Sequence, residues 1–287
     1  MTPAAGRPAI LTLLTDFGAS DAYVGAMKGV MLGVNPALTL VDLTHQVAPQ
    51  NVLEGAFLLG AAWRFFPQGA IHLAVVDPGV GTQRVALLIH GEGHYFLAPD
   101  NGLLSFVLPQ SAPRRSTSSA GKVAPFQPYQ SPVPPGLRAY ALTNPRYWLP
   151  QVSSTFHGRD IFAAAAAHLS LGVPMEELGA PVQSLTRLRI PAPLRDGARL
   201  TGCVLHVDRF GNIVTSMPAE ALAGMGRDVM VEVGGRQVRG LVETYGEGKG
   251  LVALIGSHGY LEVALAGGNA ARELGVGVGA EVRVRRF

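Results

Sequence analysis

The chain has a single cysteine, Cys203, in 287 residues. No intrachain disulfide is therefore possible, and no cysteine cluster can hold zinc. The HExxH pairing of zinc hydrolases is absent too, so no metal is expected. Lysine is scarce: Lys28, Lys122 and Lys249 leave arginine as 20 of the 23 basic residues. The basic residues are scattered rather than run together, which argues against a nucleic-acid partner despite the net charge of +3. No apolar run approaches the ~20 residues of a membrane span. Ile10–Leu14 is too short for the core of a signal peptide and runs directly into Asp16. The expectation is a cytoplasmic protein that touches no membrane. Neither GxxxxGK[ST] nor a complete GxGxxG occurs: Gly79-Val80-Gly81 is followed by Arg84 where the dinucleotide fingerprint wants Gly or Ala. Gly275–Gly279 fails GxGxxG and leads to a terminal strand rather than a helix. P-loop and Rossmann chemistry are thereby set aside.

What the chain does have is apolar residues, 48% of the total against 15% charged. That composition belongs to a globular protein with a large core. Ala9–Thr15, Leu38–Leu43 and Leu73–Val76 read as strands, with helices between them over the residues after Asp21 and over Asn51–Phe66. Strand, helix, strand, helix, strand is the grammar of a mostly parallel sheet flanked by helices. Val85–His90 and Tyr95–Leu97 read as further strands. Asp100-Asn101-Gly102 reads as a turn leading into another apolar helix, and Arg159–Leu171 as a helix. Residues 111–137, rich in Pro, Ser, Gln and Gly, read as a surface insertion in an α/β domain spanning 1–185, and Gln183–Asp196 as a linker. After Leu200 the pattern becomes short β runs separated by turns, with Gly234-Gly235 a hairpin signal, so residues 198–287 are expected to form a smaller all-β barrel.

Candidate chemistry collects at the ends of the strands. Asp77-Pro78-Gly79 stops the apolar run Leu73–Val76, because a buried strand cannot continue through Pro-Gly. Ligands of open α/β sheets bind at such carboxyl ends. Arg84, a permanent cation seven residues on, can orient that carboxylate. His157, in Phe156-His157-Gly158-Arg159-Asp160, is the best general-base candidate, since an imidazole titrates near neutrality. Asp16 ends the first strand and could take ribose hydroxyls or simply cap the next helix. Asp208-Arg209-Phe210-Gly211-Asn212 reads as a turn that could also grip an ammonium. The remaining histidines read as structural.

Seven motifs in order carry a family resemblance: Thr15–Gly18, Val41–His45, Asp77–Gly81, Pro99–Leu104, Thr155–Asp160, Asp208–Asn212 and Ser257–Leu261. Over nearly the whole chain apart from 111–137, the sequence resembles the S-adenosylmethionine hydroxide adenosyltransferases, or SAM hydrolases, relatives of fluorinase and chlorinase. The resemblance implies an N-terminal α/β domain, a C-terminal β-barrel and a homotrimer with sites between subunits. It implies that water displaces L-methionine from the 5′-carbon of S-adenosylmethionine, giving adenosine, with no cofactor. It assigns Asp77, Arg84 and His157 to the catalytic triad. The sequence does not fix which member takes the proton; His157 is the favoured acceptor, with Arg84 holding Asp77 ionised. Asp16 matches a ribose contact, and Asp21, Asp208, Ser257 and His258 match positions around the methionine end. Asn212 matches an adenine contact, Tyr245 offers a ring for the base, and Asn269 joins the substrate-binding set. The halogenating relatives have Tyr and Ser where this chain has Asp77 and Gly158, and Ser and Arg where it has Tyr23 and His258. Halide-dependent adenosyl transfer and a non-catalytic adenosine-binding protein are the competing readings.

Overall fold

A computed structural model describes residues 9–109 and 126–287. They form two compact units, the first holding 9–109 and 127–188, the second residue 126 and 189–287.

The first unit contains β1 (Ile10–Thr15), α1 (Tyr23–Val34), β2 (Thr39–Thr44), α2 (Val52–Ala62), β3 (Ile71–Val75), β4 (Ala86–Gly91) and β5 (His94–Pro99). β6 (Pro128–Pro132), β7 (Arg138–Leu142), α3 (Ala164–Ser170), α4 (Met175–Leu178), β8 (Gly179–Pro181) and β9 (Ser184–Leu188) follow. The main sheet runs β2-β1-β3-β5-β4-β7-β8. Its first four strands are parallel neighbours, and β4, β7 and β8 extend it in antiparallel fashion. Every residue of β3 is buried, as the unbroken apolar run requires of a strand covered on both faces. On one face Leu11, Leu13, Leu73 and Val75 pack with Met27 and Met31 of α1 and with the alanines of α3. On the other, Gly55 of α2 lies so close to Leu103 and Val76 that a Cβ would sit 2.8 Å and 3.0 Å from them. α2 starts at Asn51, whose side chain accepts from the Glu54 amide at 3.1 Å, and gives way to a 3-10 turn at Trp63–Phe65 just before Pro67.

Three local expectations need correction. No helix follows Gly102; Gly102–Leu108 is a succession of turns. Tertiary hydrogen bonds overrode helix propensity there: the Ser105 hydroxyl donates to Gly102 O at 2.5 Å and accepts from Leu188 N at 2.7 Å. The end of the Pro-rich stretch and the start of the stretch read as a linker pair as β6 and β9, an antiparallel ribbon. The earlier part of the Pro-rich stretch, 111–125, lies outside the described residues. The helix after His157 begins as wide π-helical turns over Gly158–Ala163 before α3.

The second unit contains β10 (Leu194–Asp196), β11 (Arg199–Val207), β12 (Ile213–Pro218), β13 (Val229–Val233), β14 (Arg236–Arg239), β15 (Leu251–Ile255), β16 (Tyr260–Leu265), α5 (Ala270–Leu274) and β17 (Glu281–Arg286). The order is β14-β13-β17-β11-β12-β16-β15 with β10 on β11, all antiparallel. The end strands β14 and β15 touch, so the sheet is nearly a closed barrel. Strict alternation built it: Val282 and Val284 of β17 are fully buried while Glu281, Arg283 and Arg285, alternating with them, are exposed. Gly234 and Gly235 at φ 57° and 71° make the two-residue turn joining β13 to β14. Cys203 is buried.

Within the first unit's core, Thr12 Oγ1 lies 2.8 Å from His72 Nδ1, and His72 Nε2 lies 3.2 Å from His94 Nδ1. Burial, aided by the neighbouring His94, pushes His72 down to about 3. The fold therefore holds a neutral imidazole, whereas the unfolded chain takes up a proton below the ordinary value of 6.5. Stability is lost as pH falls from 6.5 toward 3, with a slope from this group approaching ~1.4 kcal/mol per pH unit. Thermal unfolding from pH 7 to 4 should show that decline, shallower in His72→Gln; parallel slopes in the two proteins would refute the assignment.

Candidate active site

Thr15 of β1 and Val75 of β3 are register partners, so Asp16 and Asp77 leave the sheet from neighbouring strand ends. The chain then turns tightly: Val80 N donates to Asp77 O at 3.2 Å and Thr82 N to Gly79 O at 3.2 Å. The turn returns Arg84 to Asp77. Arg84 Nε donates to both carboxylate oxygens at 2.9 Å, and Arg84 Nη2 makes a short contact with Oδ2. Both side chains are largely buried, 5% exposed for Asp77 and 10% for Arg84. This is the desolvated, multidentate form of ion pair rather than a surface bridge.

The same Nη2 lies 3.0 Å from His157 Nδ1. A guanidinium only donates, so Nδ1 accepts and the proton of the neutral ring resides on Nε2. Burial, then the charge of Arg84, lowers the His157 pKa against the opposing pull of Asp77 and Asp160. Phe162 backs the guanidinium, its ring centroid 5.2 Å from Arg84 Cζ.

His157 is placed by the loop before α3. Fully buried Asp160 accepts from Ser153 N at 2.8 Å and from Arg159 Nε at 2.6 Å, cinching that loop. Gly81, at φ 76°, lets the Asp77 loop meet it: a Cβ there would stand 2.3 Å from Ser154 O. Phe17, Tyr23 and Phe156 form a mutual aromatic group with centroids 5.2 to 5.8 Å apart, and Gly158 rests against Phe17 and Val75. Asp16 accepts from Gln50 N at 2.8 Å, and Asp21 is exposed ahead of α1.

In the second unit Asp208 organises its own loop, accepting from the amides of Phe210 and Asn212 at 2.9 and 2.8 Å and from Asn212 Nδ2 at 2.9 Å. Asn269 packs on Gly211 and caps α5 through Arg272 N at 2.7 Å. The Tyr245 hydroxyl donates to Glu262 at 2.8 Å. Ser257 and His258 are exposed in the turn between β15 and β16. The structure thus gathers Asp77, Arg84 and His157 in one unit, and Asp208, Asn212 and Asn269 in the other. The sequence reading missed the clamp of Asp160, the aromatic group and Glu262. A lone carboxylate inside the apolar run of β16 was the available sign of the last.

Among the described residues no group of three or more His, Cys, Asp or Glu could hold a metal ion, and the His90-x-x-x-His94 spacing spans the β4–β5 turn rather than one helical face. A cavity of about 390 Å³ in the second unit is lined by Met225, Arg227, Arg239 and Arg286, and by none of the candidate site residues.

Together these features define a two-unit α/β enzyme with a carboxylate–guanidinium–imidazole site at its strand ends. The chain belongs to the SAM hydroxide adenosyltransferase family: residues 11–179 match that family's N-terminal domain and residues 202–283 its C-terminal domain. It is 41% identical over 273 residues to the (R)-S-adenosyl-L-methionine hydrolase of Thermus thermophilus, covering 94% of this chain and 97% of that one. A fluorinase of an Actinoplanes species is more distant, 29% identical over 78% of this chain and 77% of its own. A solved Thermotoga maritima protein superposes with a TM-score of 0.82 at 33% identity, covering 96% of this chain and all of the other.

Gly81→Ala should cost stability on the order of 2 kcal/mol through positive φ and the clash with Ser154. Because it separates the two loops, it should also shift the His157 ring resonances. A melting temperature and imidazole spectrum like those of the wild type would show that Gly81 does not set this approach.

Proposed function

We propose that the chain hydrolyses S-adenosyl-L-methionine to adenosine and L-methionine. The observation that carries this reading is one guanidinium, Arg84, bridging Asp77 and His157. The bond from water oxygen to C5′ forms as the C5′–S bond breaks, and its electron pair stays on sulfur, which leaves as a neutral thioether. No acid is needed at the leaving group, so catalysis rests on orienting and deprotonating the water. His157 Nδ1 is engaged by Arg84, so the ring presents an N–H at Nε2 and suits holding the water oxygen. Asp77, with carboxylate lone pairs remaining, takes the proton. This reverses the expectation that favoured His157 as acceptor.

Asp16 holds the ribose diol, and Asp21, Asp208, Ser257 and His258 hold the methionine end. Asn212, Asn269 and Tyr245 hold the adenine end. No metal or cofactor takes part, and the protein works in the cytoplasm as a homotrimer with active sites at subunit interfaces. The relatives' name specifies the (R) sulfonium, and the same epimer is the proposed preferred substrate. A halide nucleophile would be repelled by the Asp77 carboxylate, which argues against the halogenase reading.

Purified protein given either sulfonium epimer should release adenosine and methionine, the (R) form faster, and chloride or fluoride should yield no 5′-halo-adenosine. Absence of adenosine across the pH range would defeat the proposal. Asp77→Asn should lower kcat by roughly 10²–10⁴ and His157→Asn by less; the opposite ranking would return the base to His157. The acid limb of kcat/KM should have its midpoint below 6.5, because the His157 pKa is lowered and only the neutral ring can accept from Arg84 at Nδ1.

A further inference from the structure

Glu262 lies on β16, is 3% exposed and is surrounded by the apolar residues of its own strand. Burying a carboxylate there is costly and adds nothing that an apolar residue would not supply better. Its Oε1 accepts the Tyr245 hydroxyl at 2.8 Å. Its Oε2 occupies the space above Gly256, where a Cβ would come within 2.4 Å. Asp208 and His258, from the flanking loops, are the titratable groups that face it besides Tyr245.

Tyr245 presents the opposite picture. Its side chain is exposed and contributes little to the core, yet it is fixed at both ends. Its backbone is set by a capping box, in which Thr244 N donates to Glu247 Oε1 at 2.9 Å, and its hydroxyl is tied to Glu262. An exposed ring held in one orientation is what base stacking needs, since a free ring would lose rotamer entropy on binding.

We propose that Glu262 is a positioning residue for substrate binding, its carboxylate holding the Tyr245 ring as a platform for the adenine base. This rests on the adenosyl-substrate reading above. Glu262 touches no reacting atom; it acts through Tyr245, so its loss weakens binding while leaving the chemical step alone.

The test compares wild type, Tyr245→Phe, Glu262→Gln, Glu262→Ala and the Tyr245→Phe/Glu262→Ala double variant. Tyr245→Phe and Glu262→Ala should each raise KM for S-adenosylmethionine roughly 5–20-fold with kcat within about threefold. The double variant should be no worse than Glu262→Ala alone, because both changes cut one link. Glu262→Gln keeps an acceptor oxygen and should restore most of the affinity. Effects that multiply in the double variant, or a fall in kcat at constant KM, would overturn the proposal. Should Glu262→Ala not fold, Glu262→Gln against Tyr245→Phe still decides: Glu262→Gln close to wild type with Tyr245→Phe impaired supports it, and any other pattern opposes it. Calorimetric Kd values for adenosine on the same proteins read the platform without turnover. A wild type that binds adenosine but cleaves nothing would remove the hydrolase reading alone. Adenosine affinity unchanged in Tyr245→Phe and Glu262→Ala would remove this one.

Discussion

One guanidinium organises the catalytic end of the first unit. Arg84 has five N–H donors in a rigid plane, and the fold uses them in two directions, toward a carboxylate after β3 and toward an imidazole 73 residues later. A lysine could neutralise Asp77 but could not give it the two-nitrogen, in-plane grip that Arg84 keeps while donating to His157. The surrounding architecture serves this placement. β3 is buried on both faces so that its end is rigid, Gly81 lets two loops touch, and Asp160 cinches the segment carrying His157. Removing charge from Arg84 would leave the buried Asp77 carboxylate and the half-buried His157 without a common partner, a penalty larger than the loss of a surface pair.

The two units divide the polar work differently. In the first, side chains meet each other: Arg84 touches both Asp77 and the neutral ring of His157. In the second, the candidate binding groups are mostly held by backbone. Asp208 spends its carboxylate on amides of its own loop, and Asn269 caps a helix. Such groups present a fixed shape at little cost in mobility, which suits recognition more than proton transfer.

Much of this was legible from residues alone, for identifiable reasons. Strands covered on both faces announce themselves as unbroken apolar runs, so β1 and β3 could be placed within a residue or two. The second unit was clearer still, because β13 and β17 alternate strictly and Gly234-Gly235 marks the turn from β13 to β14. Asp77 was found because Pro-Gly stops a strand, and Arg84 by its nearness. Partners remote in sequence were harder. His157 could be picked as a candidate base, but its link to Asp77 and its tautomer needed the Arg84 contact, and Glu262 stood as a single carboxylate in an apolar run with no sign of its partner Tyr245. The turns after Gly102 were mistaken for a helix because the bonds that unwind them come from Leu188, 83 residues away.

That last contact has a consequence for how the protein is made. Leu188 N and Thr186 N fasten Ser105 and Asp100, and β9 is the partner that β6 requires. The α/β unit therefore cannot be finished when its central sheet has been synthesised. At translation rates of ~5–20 residues per second, the Asp100–Ser105 segment waits roughly 4–16 s for its clasp to leave the ribosome. During that interval Leu103, Leu104, Val107 and Leu108, all buried in the finished protein, lack the strand that pins their turns. These apolar side chains are therefore made well before their clasp, and the clasp itself is made before the β unit.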